Sequence, residues 1–360
     1  MNIGIDGRAA KWYRGTGIGT YTHQLILSLN SIDNFNDYLI FLPDGSSLKD
    51  LKNNFHIESV KANLEENFWD EVSVPNILII KIWNYIMFLK KVITLHDIIP
   101  IRMPETVSEK YLKLFNDELP NMLSQCEGII TVSEFSKKDI SEEFNFPKEK
   151  IFVTPLAAED IYKPMNKFLC KNILKEKYNI EDRFILYVGG FSPRKNIIGL
   201  IEAFSLITPK NRKNTKLVIT GKKGVSYEKY KKRADELNLK DDVIFTDFIP
   251  VEDMPIFYNA TELLVYPSFY EGFGLPPIEA MACGTPVVTS NVTSIPEFCS
   301  EAALLIDPYN IDELSKSIED ILNDSLLMLT LIKKGLSCSL NFSWRLTAEK
   351  TIAAYNSMLK

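Results

Sequence analysis

Two glutamates eight positions apart, Glu271 and Glu279, bracket the segment Glu271-Gly272-Phe273-Gly274-Leu275-Pro276-Pro277-Ile278-Glu279. An ionised carboxylate only accepts hydrogen bonds, so a pair of them suits a ligand rich in hydroxyl groups. The glycines between them let backbone N–H groups approach a ligand closely. A helix starting at this turn would place its positive end on an anion. The segment therefore reads as a site for a hydroxyl-rich ligand that carries phosphate, against the blander alternative of two solvated glutamates around a turn.

Three further sets of residues bear on the same chemistry. Arg194 and Lys195 follow the apolar run Phe184–Val188 and a Gly189-Gly190 turn, and two adjacent cations suit a diphosphate whose charge must be stabilised as it leaves. The loop Gly15–Gly19, with Gly17 at its centre, is a candidate phosphate or sugar cradle, or else a plain tight turn. His96 is the one of three histidines that stands at the end of an expected strand, ahead of Asp97. Ser133 and Ser136 read as helix caps.

These residues need elements to hold them. Strands are expected at Asn2–Asp6, Tyr38–Leu42, Lys91–Leu95, Gly128–Val132 and Lys150–Thr154 in the first half. In the second half they are expected at Phe184–Val188, Lys216–Thr220, Val243–Thr246, Leu263–Tyr266, Pro286–Thr289 and Ala303–Ile306. Helical patterns between several of them indicate mainly parallel sheets covered on both faces. In open sheets of this kind ligands gather beyond the strands' carboxyl ends, where Arg194, Lys195, His96 and Glu271 all fall. A last helix is expected from a Ser343 cap through about Leu359.

The chain has 360 residues, 46% of them hydrophobic and 24% charged, which favours two ordinary globular domains. Its net charge is −6. Through Lys163 there are 17 basic and 23 acidic residues, leaving 24 of each in the remainder of the 41 and 47. With no basic tract, nucleic acid is not an expected partner. Five scattered cysteines without CxxC spacing favour reduced thiols in a cytoplasmic protein. The most apolar stretch, Val74–Leu89, is shorter than the roughly 20 residues a spanning helix needs. It reads as a buried strand and helix, and leaves room for peripheral contact with the inner face of a membrane. The spacings of a P-loop, an HExxH zinc site, a GxGxxG fingerprint and an Asp-x-Asp metal clamp are all missing.

Taken together, the Gly15–Gly19 loop, His96-Asp97, Val132–Ser136, Pro193-Arg194-Lys195-Asn196 and Glu271-x7-Glu279 resemble the retaining glycosyltransferases of family 4, over nearly the whole chain. The Glu-x7-Glu wording is the specific part. The resemblance implies a GT-B fold: two Rossmann-like doubly wound α/β domains facing across a cleft. It divides the chain into an acceptor-binding domain at 1–163, a nucleotide-sugar-binding domain at 164–340 and a terminal helix at 341–360 that crosses back to the first domain.

By position, Arg194 and Lys195 would hold the donor diphosphate and Glu279 the ribose hydroxyls. Glu271 and the backbone of Gly272, Phe273, Gly274 and Leu275 would hold the transferred sugar. His96 would touch that sugar, and the Gly17 loop would close over the phosphates. The implied activity is α-retaining transfer of a hexose, mannose first, from a nucleotide sugar to a glycan or lipid-linked acceptor in bacterial surface polysaccharide synthesis. GDP-mannose is favoured over UDP-glucose or UDP-N-acetylglucosamine, with neither cofactor nor metal expected. Gly190 stands where relatives carry a cation, and the stretch between Phe68 and His96 is shorter than in similar members. That second departure motivates an alternative, a catalytically weak nucleotide-sugar-binding partner in an assembly complex. A nucleotide-sugar epimerase is disfavoured by the small number of histidines.

Overall fold

The computed structural model describes residues 1–60, 90–213, 215–222 and 226–359. The apolar stretch Val74–Leu89 and most of the shortened segment before His96 lie outside them. The chain divides into two compact units, Met1–Leu156 with Ser343–Lys360, and Ala157–Phe342.

In the first unit β1 (Asn2–Asp6), β2 (Asp37–Pro43) and β3 (Phe55–Val60) form a parallel sheet in that order. A second parallel sheet runs β4 (Val92–Thr94), β5 (Gly128–Thr131), β6 (Ile151–Val153). The expected strands on these sites are present with ends trimmed by one residue or extended by one. The strand β3 is an addition to the expected set. Among the described residues it lies at a sheet edge, with only Phe55 buried, so His56, Glu58 and Ser59 are exposed and mask its apolar signal. Helices Gly17–Ile32 and Glu134–Phe144 connect strands, and Ile93, Leu95, Ile129 and Ile140 fill a core against Phe115 and Leu119.

The terminal helix Trp344–Leu359 packs on this first unit. Ala354 and Met358 close over Ile130, and Thr347 donates to the Pro155 carbonyl at 2.6 Å. The Ser343 hydroxyl accepts from the Leu346 N–H at 3.1 Å, the expected cap.

The second unit carries β7 (Arg183–Val188), β8 (Thr215–Thr220), β9 (Val243–Phe245), β10 (Leu263–Tyr266), β11 (Val287–Ser290) and β12 (Leu304–Ile306). All pairs are parallel and the order is β12-β11-β10-β7-β8-β9. The chain winds outward from β7 to β9, then restarts at β10 on β7's other side. The crevice between β7 and β10 is thus the topological switch point, where chains diverging to opposite faces leave room for a ligand.

The boundary falls at Leu156/Ala157 rather than 163/164, because the intervening segment is tied to the helix Met254–Ala260. Asn259 donates to the Lys163 carbonyl at 3.0 Å and accepts from the Met165 N–H at 2.6 Å. Tyr162 packs edge-on against Tyr258. The later boundary lies at Phe342/Ser343 instead of 340/341, since Phe342 packs against Phe273 and Phe298.

Candidate functional site

The loop after β7 is built for close approach. Gly189 sits at φ +153° and donates to the Thr220 carbonyl at 3.1 Å. A Cβ on Gly221 would come within 2.0 Å of the Gly189 carbonyl, so only glycine lets the ends of β7 and β8 meet there. At Gly190 a Cβ would meet nothing within 4 Å, so packing does not exclude a larger residue. Pro193–Lys195 then form one 3₁₀ turn, and Asn196, left-handed at φ 55°, caps the helix Ile197–Leu206 through Gly199 N–H at 3.2 Å. This fixes where Arg194 and Lys195 project.

On the other side of the switch point, Pro267 ends β10 after Tyr266, and Phe269 donates to the Arg194 carbonyl at 2.8 Å. The two loops are therefore stitched together. Glu271 is 6% exposed and Lys195 8%. Glu271 Oε1 accepts from Lys195 Nζ at 2.6 Å, from Tyr266 OH at 2.9 Å, and pairs with Arg194 Nη1 at 2.9 Å. Lys195 also donates to the Tyr266 hydroxyl, and Arg194 to the Tyr270 carbonyl. The Glu271 backbone is held as well, by Thr293 Oγ1 and by Ser294, whose hydroxyl also reaches the Phe273 carbonyl.

Burial by itself would push the Glu271 carboxyl up. Arg194, Lys195 and the Lys195 hydrogen bond outweigh it and bring the pKa from 4.5 to about 2. Tyr266 and Tyr258 are pushed far up by burial and then by the glutamates they face, so both keep their protons as donors. Two cationic side chains thus converge on the Glu271 carboxylate beside the switch point.

Glu279 occupies the helix Leu275–Ala282, 9% exposed, and accepts from Tyr258 OH at 2.7 Å. This helix begins at Leu275, because Pro276 and Pro277 fall in its first turn, where no N–H is required. Its cap residue Gly274 is left-handed at φ 98° and offers no side-chain cap, leaving the first-turn N–H groups without that partner. Phe273 is buried and stacked on Phe298 at 4.6 Å, and Gly272 and Leu275 are buried with it. Arg194, Lys195 and Glu271 are thus brought into direct contact, and Glu279 sits one helix turn beyond the Gly272–Leu275 turn.

In the first unit, Thr16 caps the helix Gly17–Ile32 through Gly19 N–H at 3.2 Å. The steric demand in this loop falls on Gly19, whose Cβ would stand 1.9 Å from the Tyr13 carbonyl, whereas Gly17 has open space. Ser133 caps Glu134–Phe144 through Ser136 N–H. His96 follows β4, its carbonyl accepting from Thr131, with its ring edge-on to Tyr21 at 4.6 Å. Burial pushes the imidazole down from 6.5 to about 4, so it is neutral at pH 7.

A depressed folded pKa means the unfolded chain takes up the proton first, so stability is full above pH 6.5 and declines as pH falls toward 4. His96→Asn is expected to flatten that part of the stability-against-pH curve. Parallel curves for wild type and variant in urea titrations would contradict the assignment.

Sequence reading missed Tyr258, Tyr266, Thr293 and Ser294. The two tyrosines sit in apolar runs that read as core, and only Tyr266, its hydroxyl placed at a strand end, offered a signal.

A sequence profile described as glycosyl transferases group 1 matches residues 171–337. O-antigen chain mannosyltransferase B of Escherichia coli is 35% identical over 266 residues, 74% of this chain and 70% of that one. The serotype-specific mannosyltransferase WbdA of Escherichia coli is 30% identical over 280 residues, 75% of this chain but only 34% of its own length. Among solved structures, Anabaena Alr3699/HepE in complex with UDP and glucose aligns with a TM-score of 0.75 at 17% identity, covering 99% of this chain and all of that one.

Proposed function

The chain belongs to the group 1 glycosyl transferases, and we propose that it is an α-retaining transferase moving a hexose, mannose first, from a nucleotide sugar to a glycan or lipid-linked acceptor. The observation that carries this reading is the Arg194–Lys195–Glu271 cluster at the β7/β10 switch point, where two cationic side chains stand together at the carboxyl ends of the strands. The relatives that are O-antigen chain mannosyltransferases support mannose and a role in bacterial polysaccharide synthesis. GDP-mannose is accordingly the favoured donor.

In this reading the donor diphosphate takes over Lys195 and Arg194, and the released Glu271 oxygen accepts from hydroxyls of the transferred sugar. The bond from the sugar's anomeric carbon to the phosphate oxygen breaks first, leaving positive charge on the ring and negative charge on the diphosphate. Lys195 and Arg194 stabilise that growing negative charge. The acceptor hydroxyl attacks from the face the diphosphate vacates, and its proton goes to the departing phosphate oxygen. Configuration is retained, and the products are the glycoside and the nucleoside diphosphate. His96, neutral, is a candidate hydrogen-bonding partner for the sugar, and Gly17 with its open space would accommodate phosphate.

Glu279, poised by Tyr258, is assigned to the ribose hydroxyls. Glu279→Ala is expected to weaken nucleoside diphosphate binding by roughly 10- to 100-fold, the range for a hydrogen bond to a charged group. With a 2′,3′-dideoxy nucleotide, wild type and variant should bind alike. A variant that loses both equally, or neither, in calorimetric titration would sink the ribose role.

A further inference from the structure

A second feature stands on the same loops as the cationic cluster. Tyr309 is 72% exposed and stacks on Phe269, with ring centroids 4.6 Å apart and planes 25° from parallel. An isolated exposed aromatic needs no explanation, but this one is anchored to the site from both sides. Phe269 hydrogen-bonds to the Arg194 carbonyl and lies two residues before Glu271. Asn196, next to Lys195, donates to the carbonyl of Pro308, next to Tyr309, at 2.7 Å. The Tyr309 N–H is held by Asp307 Oδ1 at 2.9 Å, just ahead of the helix Ile311–Asn323.

The ring is therefore ordered on one face by Phe269, while most of its surface is open to solvent. A pre-ordered aromatic offers contact area at small entropic cost. Its π face is negative, and the axial C–H groups of a pyranose are weakly positive, so a sugar ring packs on it while its hydroxyls stay wet.

We propose that the open face of Tyr309 is a stacking platform for a pyranose ring of the acceptor glycan, placed beside the cluster where the donor's sugar is transferred; this puts one acceptor contact in the second unit, whereas the family resemblance assigns acceptor binding to residues 1–163. The proposal rests on the transferase reading above. It assigns Tyr309 a positioning role in acceptor binding, and none in the chemical step or in holding the nucleotide.

The test uses the full chain, GDP-mannose as donor and an α-linked mannotriose as acceptor. Tyr309→Ala is expected to raise the acceptor KM about tenfold, with kcat within about twofold of wild type. Tyr309→Phe, which keeps the ring and removes the hydroxyl, should behave like wild type. All three proteins should show the same thermal shift with the donor. An unchanged KM in Tyr309→Ala, or an equal loss in Tyr309→Phe, overturns the stacking role. A lost donor shift in Tyr309→Ala would show a structural role instead and overturns it too. If wild type shows the donor shift yet neither binds nor uses the oligosaccharide, the glycan platform is wrong and the donor reading stands. If no nucleotide sugar produces a shift in wild type, the transferase reading itself fails.

Discussion

Lys195→Ala is expected to lower turnover by about 10²- to 10³-fold, the effect of removing one preorganised charge from a developing anion. The ammonium is buried, 2.6 Å from Glu271 Oε1 and 4.8 Å from the Tyr266 ring centroid, so water cannot readily replace it. Its benefit should grow as the phosphate bond breaks, so kcat should fall much more than donor affinity. Lys195→Arg should not restore the rate, because a planar fork does not fit a pocket shaped around a point charge under Tyr266. The steady-state rate of nucleoside diphosphate release reads this directly. A variant with wild-type kcat would remove the leaving-group argument.

The second large effect concerns stability. Glu271→Ala removes the carboxylate that the buried Lys195 and the partly buried Arg194 share, and breaking a buried pair in this way costs about 3–5 kcal/mol. The pH dependence has a definite sign. Because the folded pKa is depressed to about 2 from 4.5, the pair's contribution is present above pH 4.5 and lost as pH falls through 2. Wild type should therefore weaken steadily in that window, and Glu271→Gln should lack that limb. The same variants should lose the sugar-bearing donor far more than the bare nucleotide, since the diphosphate can still pair with both cations. Equal losses of nucleotide and nucleotide sugar would contradict the role given to Glu271.

Much of this site was legible because its signals are local. The Glu-x7-Glu segment, the glycine turn before Arg194 and the apolar runs of β7 and β10 each fall within a dozen residues, where side-chain periodicity and turn chemistry operate. What spacing could not show is the pairing of Lys195 with Glu271, which are 76 residues apart and meet only through strand order. Nor could it show that Tyr266 and Tyr258 aim hydroxyls at the two glutamates, because each lies in an apolar run that reads as core. The Gly15–Gly19 loop was found as a unit. Which glycine is sterically required depends on where the Tyr13 carbonyl passes, and that is Gly19 rather than Gly17. The strand β3 escaped because an edge strand with one buried residue carries no periodic signal.

The most direct test of the central claim is a thermal-shift measurement on wild type and Lys195→Ala with GDP, UDP and ADP and their common sugar conjugates, in the presence of a chelator. A ligand that binds only the folded state raises the melting temperature by mass action. A selective rise with one nucleotide family, GDP and GDP-mannose first, that is reduced in Lys195→Ala is the result the switch-point site predicts. No rise with any of these ligands, from a folded wild-type sample, would mean that the Arg194–Lys195–Glu271 cluster is a structural ion pair and not a donor site.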